Sequence, residues 1–184
     1  MILILNGPSS SGKTTLSRNL QKLWPRPLYY LSYDAVDAHM APFRHANHPF
    51  PDPADPAHPL DEVRDFLTVM TLAAAAIDRS GRDAVIDNCL FDTEEMYKET
   101  LRLTEGCDTF WIRIDVDGEE LSRRERERGD RTIGKALWQR AHLTPKDDAA
   151  YDLLLDGARP SEDNARRILA AVEAAEGTEG GRNG

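Results

Sequence analysis

Residues 7–14 read Gly-Pro-Ser-Ser-Ser-Gly-Lys-Thr, a glycine pair spaced five apart and followed by a lysine and a hydroxyl residue. No other stretch of the chain restricts its fold as tightly. The segment sits between Ile2–Leu5, a continuous apolar run suited to a strand covered on both faces, and Thr14–Leu23, which has helical character and stops at Pro25 and Pro27. Gly7 and Gly12 allow backbone angles that a side chain forbids, so successive N–H groups can turn inward around an anion. A helix starting at Lys13 points the positive end of its dipole at the same place.

The pattern G-x-x-x-x-G-K-[ST] between a strand and a helix is a phosphate cradle. In a chain of this length chance alone gives such a match with probability on the order of one in a hundred, and a chance match does not explain the flanking strand and helix. The expected ligand is a nucleoside triphosphate, ATP, bound with Mg2+. Gly7, Ser9, Ser10, Ser11, Gly12, Lys13, Thr14 and Thr15 are its candidate contacts. Lys13 is expected to reach the β- and γ-phosphates, and the Thr14 hydroxyl to ligate the metal.

Further along, apolar runs alternate with helical patterns, as βαβ units on a parallel sheet do. Leu28–Tyr33 reads as a second strand, Ala84–Ile86 as a third, Thr109–Ile114 as a fourth and Asp152–Asp156 as a short fifth. Helices are expected over Ala35–Met40, Asp61–Arg79, Thr93–Thr104, Gly118–Arg128 and Pro160–Ala175. Residues 41–60 hold six of the eleven prolines and three of the five histidines, a density that no regular element survives. The expected organisation is one open, doubly wound α/β domain over 1–175, with a substrate-side loop at 41–60, a lid segment at 119–134 and a disordered tail at 176–184.

Ligands of open α/β sheets lie beyond the carboxyl ends of the strands, which singles out the acids there. Asp34 follows strand two; it is a candidate general base for an acceptor hydroxyl and also a good N-cap for Ala35–Met40. Asp37, one turn on, is a solvated or substrate-side residue. Asp87, after Ala-Val-Ile, is placed to face Mg2+, directly or through water, or to fix the acceptor; the bland alternative is a turn residue. Asn88 beside it is a candidate hydrogen-bond donor to the acceptor.

The segment Glu119–Arg131 alternates in sign. Glu119–Arg123, Glu120–Arg124 and Glu127–Arg131 are i, i+4 pairs, each contributing a few tenths of a kcal/mol, so Arg123, Arg124 and Arg126 read mainly as a solvated helix face. Arg124 remains a candidate nucleotide contact. Arg128 and Arg131 flank Gly129, which can hinge the chain and carry their guanidinium groups to the transferred phosphoryl. Arg159, after the last strand, is a candidate contact near the nucleotide base.

With 184 residues, a net charge of −9 and a pI near 5.0, the chain fits a single domain whose acidic surface repels nucleic acid and anionic lipid. The opening apolar run is too short for a secretory signal or a membrane span, so a cytoplasmic protein is expected. Cys89 and Cys107 lack metal or redox spacing and read as reduced packing residues. His45 and His48, with two residues between them in the proline-rich loop, lack the further ligands a zinc site needs. These features point to a kinase acting on a small-molecule hydroxyl. A metabolic or nucleotide kinase of similar size and a non-catalytic nucleotide-binding regulator remain open, and oligomeric state is not legible.

Taken in order, ILNGPSSSGKT, YDAVDAHM, VIDN, RERERGDR and AYDLLLDGARP resemble the chloramphenicol phosphotransferase family of P-loop kinases over roughly residues 1–172. The resemblance implies a three-layer P-loop NTPase fold with a five-stranded parallel sheet in the order 2-3-1-4-5, helices on both faces and a short lid. It implies ATP-dependent phosphorylation of an antibiotic hydroxyl. Asp34 falls on the family's catalytic base, Lys13 and Thr14 on its phosphate and Mg2+ ligands, and Arg128 and Arg131 on its lid arginines. The chain departs from the family in carrying Asp87-Asn88 where Asp-Asp is frequent, and in the 41–60 segment.

Overall fold

The structure is a computed structural model that describes residues 1–33, 35, 60–90, 94–129 and 133–180. Its centre is β1 (Ile2–Asn6), every residue of which is buried. Side chains alternate across a strand, and β1 uses both faces: Leu3 and Leu5 enter one core, Ile2 and Ile4 the other. β2 (Leu28–Ser32), β3 (Asp83–Asn88), β4 (Thr109–Asp115) and β5 (Leu153–Asp156) complete a parallel sheet in the order β2-β3-β1-β4-β5. The expected order is therefore the observed one, and the strands differ from their expected bounds by one or two residues.

The first core joins β1 and β4 to Leu16 and Leu20 of α1 (Lys13–Leu23), and to Ile168 and Val172 of the closing helix. The second joins β1 and β3 to Leu67, Met70 and Ala74 of α2 (Leu60–Arg79), and to Met96 of α3 (Glu94–Leu103). The sheet is thus sandwiched between two helical layers. α1 ends where Trp24 turns extended ahead of Pro25, and the Trp24 indole then donates to Asp83 at 2.9 Å.

α4 (Gly118–Arg128) has its expected bounds: Asp117 accepts from the Glu119 amide at its start, and Gly129, at φ 70°, ends it in the left-handed region. α5 (Lys135–His142) lies where no element is expected, and a 3-10 turn follows at Asp148–Ala150. α6 (Ser161–Gly180) continues past Ala175, where a tail is expected; the Ala/Glu composition of 170–176 sustains the helix. The expected helix Ala35–Met40 lies, apart from Ala35, outside the described residues, as does 41–59. None of the helices among the described residues is long and apolar enough to cross a membrane.

Register decides what meets at the mouth of the sheet. β1 and β3 pair Leu5 with Asp87 and Asn6 with Asn88, so the acid ending β3 lies beside the strand that runs into the glycine-rich turn. Asn6 pins that corner: it donates to the Thr144 carbonyl at 2.7 Å and to the Tyr151 hydroxyl at 2.8 Å, and accepts from the Leu90 amide at 2.9 Å.

Candidate functional site

The turn after β1 closes into a compact loop. Gly7 is there for space: a Cβ on it would stand 2.9 Å from the Ile114 carbonyl oxygen. Gly12 is there for conformation, with φ 96° at the N-cap of α1, and Ser10 also adopts a left-handed φ of 61°. Left-handed residues inside a short loop turn successive amides to one side, the geometry of an anion nest. The Ser10 and Ser11 hydroxyls are buried without a hydrogen-bond partner among the described residues. Ser11 is buried, and its amide donates to the Pro8 carbonyl at 3.3 Å, which tightens the loop.

Ser9, Ser10, Gly12, Lys13, Thr14 and Thr15 open onto a cavity of about 830 Å3, within the roughly 300–1,000 Å3 of small-molecule sites. The Lys13 ammonium is held at 2.7 Å by the Gly7 carbonyl and at 2.8 Å by that of Pro8, and lies 3.8 Å from Asp87. Thr14 donates its hydroxyl hydrogen to Asp87 Oδ2 at 3.0 Å. Tyr30, projecting from β2, donates to the same oxygen at 3.0 Å. Burial, reinforced by the Asp87 charge, pushes the Tyr30 phenol up to about 12, so it stays a hydrogen-bond donor at every ordinary pH.

The hydroxyl of Thr14 and the carboxylate of Asp87 are hard oxygen donors of the kind Mg2+ takes. No cluster of three acidic, histidine or cysteine side chains that could hold a metal occurs among the described residues. A cation bound here would therefore draw most of its ligands from phosphate and water, as Mg2+ does at nucleotide sites. On that chemistry the two side chains fit the ion.

The arginine segment differs from its sequence reading. Arg123 pairs with Glu120 and Glu127, rather than with Glu119. The Glu120–Arg124 pair does form, at 2.6 Å. These two guanidinium groups hold the Glu120 carboxyl at about 2, Arg123 contributing most. Arg124 is more than a solvated charge: it reaches the Gly157 carbonyl at 3.0 Å and the Ser10 carbonyl at 3.5 Å, and it lines the cavity. Its guanidinium is fixed by the Glu120 carboxylate and by two carbonyls. Arg128, at the end of α4, also lines the cavity. Arg159 is exposed beside Asp156, 3.8 Å away, and is not part of the lining.

Asn88 lines the cavity and is 1% exposed; its Oδ1 accepts from the Cys89 amide at 3.1 Å, while its Nδ2 is sealed without a partner among the described residues. Asp34, Asp37 and Arg131 lie outside the described residues. The neighbours of position 34 on either side, Tyr33 and Ala35, both line the cavity.

Sequence reading missed Tyr30, Lys135 and Gln139, all of which line the cavity. Tyr30 could have been found: strand periodicity puts it on the face of Ser32, one step from the acid-bearing strand end. Lys135 and Gln139 lie on α5, buried to 7% and 5% exposure. That helix is fixed by Glu125 of α4. The Glu125 carboxylate is fully buried and accepts from the Gly134 amide at 2.6 Å and the Ala136 amide at 2.9 Å, capping α5 from a neighbouring helix.

The profile of the chloramphenicol phosphotransferase-like protein family matches residues 1–173. A Mycobacterium tuberculosis (strain H37Rv) protein provisionally named an O-phosphotransferase is 29% identical over 193 residues, covering 94% of this chain and 82% of its own. Among solved structures, a sugar kinase from Janibacter sp. HTCC2649 superposes with a TM-score of 0.66 at 17% identity, over 94% of each chain. A gluconokinase from Sinorhizobium meliloti 1021 superposes with a TM-score of 0.66 at 14% identity, over 99% of this chain and 97% of its own. The two structures share the fold. With the profile matched over nearly the whole length, the chain belongs to the chloramphenicol phosphotransferase-like family.

Proposed function

We propose that the protein transfers the γ-phosphoryl group of ATP to a hydroxyl of a small hydroxylated natural product of the antibiotic kind, such as chloramphenicol. The observation that carries this reading is the joining of three things in one cavity: an amide nest, the Lys13 ammonium, and the Thr14–Asp87–Tyr30 hydrogen-bonded group. Membership of a phosphotransferase-like family supports it. Tyr33 and Leu67 give the same cavity an apolar wall suited to the body of an acceptor.

In this reading the nest amides and Lys13 hold the nucleotide's phosphates. Thr14 and Asp87 hold Mg2+, which when bound offsets charge on the phosphate oxygens. Asp34 accepts the proton of the acceptor hydroxyl as its oxygen bonds the γ-phosphorus. The bond from that phosphorus to the β–γ bridging oxygen breaks, and the electron pair leaves with ADP. Arg124, Arg128 and Arg131 are cations for the charge spread over the transferred group. Asp37 faces the acceptor, and Asn88 forms part of the cavity wall.

The test is ADP release with ATP·Mg2+ and a panel of hydroxylated antibiotics, sugar acids and nucleosides. The reading requires acceptor-dependent release with an antibiotic-class alcohol, and mass spectrometry of a mono-phosphorylated product. Turnover confined to sugar acids or nucleosides would overturn the acceptor class. Tight ATP binding with no stimulated release by any alcohol would overturn the catalytic role.

A further inference from the structure

Among the amides of the phosphate cradle, one is engaged by a side chain 130 residues away. The Ser9 N–H donates to Gln139 Oε1 at 2.7 Å. Which end of the cradle this marks follows from Lys13. Its ammonium lies against the Gly7 and Pro8 carbonyls, and a cradle lysine serves the β- and γ-phosphates. Ser9, next in the chain, therefore belongs to the terminal-phosphate end, away from the Thr14–Thr15 end where the helix dipole meets the inner phosphates.

Gln139 is consequently held at one atom and open at another. Its carbonyl oxygen is committed to Ser9, which fixes the plane of the carboxamide. Its NH2 group makes no hydrogen bond to a described residue and is not among the sealed orphan atoms, although the residue is 5% exposed and lines the cavity. A donor held open on a cavity wall is arranged for a ligand's acceptor atom. Lys135 stands one turn earlier on the same face of α5, also buried and lining the cavity. Glu125 caps that helix from α4, so Gln139 is carried on a secured element.

Resting on the ATP-dependent reading, we propose that Gln139 is a catalytic residue that contacts the transferring phosphoryl group: Ser9 aims its carboxamide, and its Nε2–H donates to a γ-phosphate oxygen as charge develops there. A fixed donor at that position is stronger in the transition state than in the ground state.

Two substitutions separate this role from a purely structural one. Gln139→Glu keeps an oxygen for the Ser9 amide and replaces the NH2 by a second carboxylate oxygen. Gln139→Ala removes both. Calorimetric affinities for ATP·Mg2+ and ADP·Mg2+ at pH 8 are compared with the wild type, together with kcat and thermal unfolding. The expected result is that Gln139→Glu weakens ATP binding by about tenfold or more, through repulsion of the terminal phosphate, and leaves ADP binding within about threefold. Its kcat falls further than that of Gln139→Ala, with unfolding temperature close to wild type. An unchanged ATP-to-ADP affinity ratio in Gln139→Glu, or full kcat in that variant, overturns the proposal and leaves the kinase reading intact. A wild-type protein that binds neither nucleotide overturns both.

Discussion

Tyr30, on β2, donates its phenolic hydrogen to Asp87 Oδ2 across the β2–β3 pair at 3.0 Å. The acceptor oxygen is the one that Thr14 also bonds, so two donors from two elements fix the carboxylate's orientation. An acid held this way presents its other oxygen, which lies 3.8 Å from the Lys13 ammonium, without having to search for a rotamer.

Tyr30→Phe is expected to lower kcat by about three- to tenfold and to raise the Mg2+ concentration giving half-maximal rate, since one hydrogen bond to a charged acceptor is lost and Asp87 gains freedom. Because the phenol titrates only at about 12, the wild-type pH–rate profile should show no limb from this residue below pH 11. Steady-state rates over a Mg2+ series would check both points. An unchanged Mg2+ dependence would show that Tyr30 does no more than pack.

Asp34→Asn is expected to reduce kcat by roughly two to four orders of magnitude while ATP affinity stays within a few-fold, as removal of a general base does. Single-turnover kinetics beside nucleotide titration would separate the two quantities. Near-normal turnover would remove Asp34 from proton transfer.

Glu125→Ala strips two backbone amides of their acceptor at the start of α5, inside a fully buried setting. The expected cost is about 2 kcal/mol, seen as a lower urea midpoint. Glu125→Gln, which keeps one acceptor, should fall between Ala and wild type. Since α5 carries Lys135 and Gln139, turnover should drop with stability. Equal midpoints for all three proteins would refute the cap.

Burial raises the Cys89 thiol to about 11 from its ordinary 9.0, and raises that of Cys107 as well. A thiol kept protonated is a poor nucleophile, so at pH 8 Cys89 should react with a disulfide reagent on the order of a hundredfold more slowly than a free thiol. The same shift works on stability. The folded state holds a proton that the unfolded chain gives up above about pH 9, so the thiol's contribution is full below that pH and fades as pH climbs towards 11. Labelling followed by peptide mapping is the check; rapid modification of Cys89 in the native protein would contradict its environment.

Much of this fold was readable because its information is local. Ile2–Leu5, Ala84–Ile86 and Thr109–Ile114 are uninterrupted apolar runs, and the glycine pair at 7 and 12 names its own geometry. Asp87 and Asn88 were legible for the same reason, as the polar end of such a run. α5 was not: KALWQRAH leaves Leu137 exposed and buries Lys135 and Gln139, the reverse of what hydrophobic periodicity expects. Their burial comes from docking against the cradle and from a carboxylate ten residues earlier. Arg124 reads mainly as a solvated charge for a related reason. Its i, i+4 partner is visible in sequence, but the carbonyls of Ser10 and Gly157 that also hold it come from distant turns.

The resting position of Lys13 sets a threshold for entry. Its ammonium is satisfied by two carbonyls, those of Gly7 and Pro8, and a guest that draws it away must give back at least as much. A polyphosphate tail, with several oxygens and multiple charges, meets that demand; a lone hydroxyl or a single weakly charged group does not. In the proposed nucleotide-binding reading, the lysine screens by charge density before any contact with base or sugar, and monoanions gain little hold on the cradle.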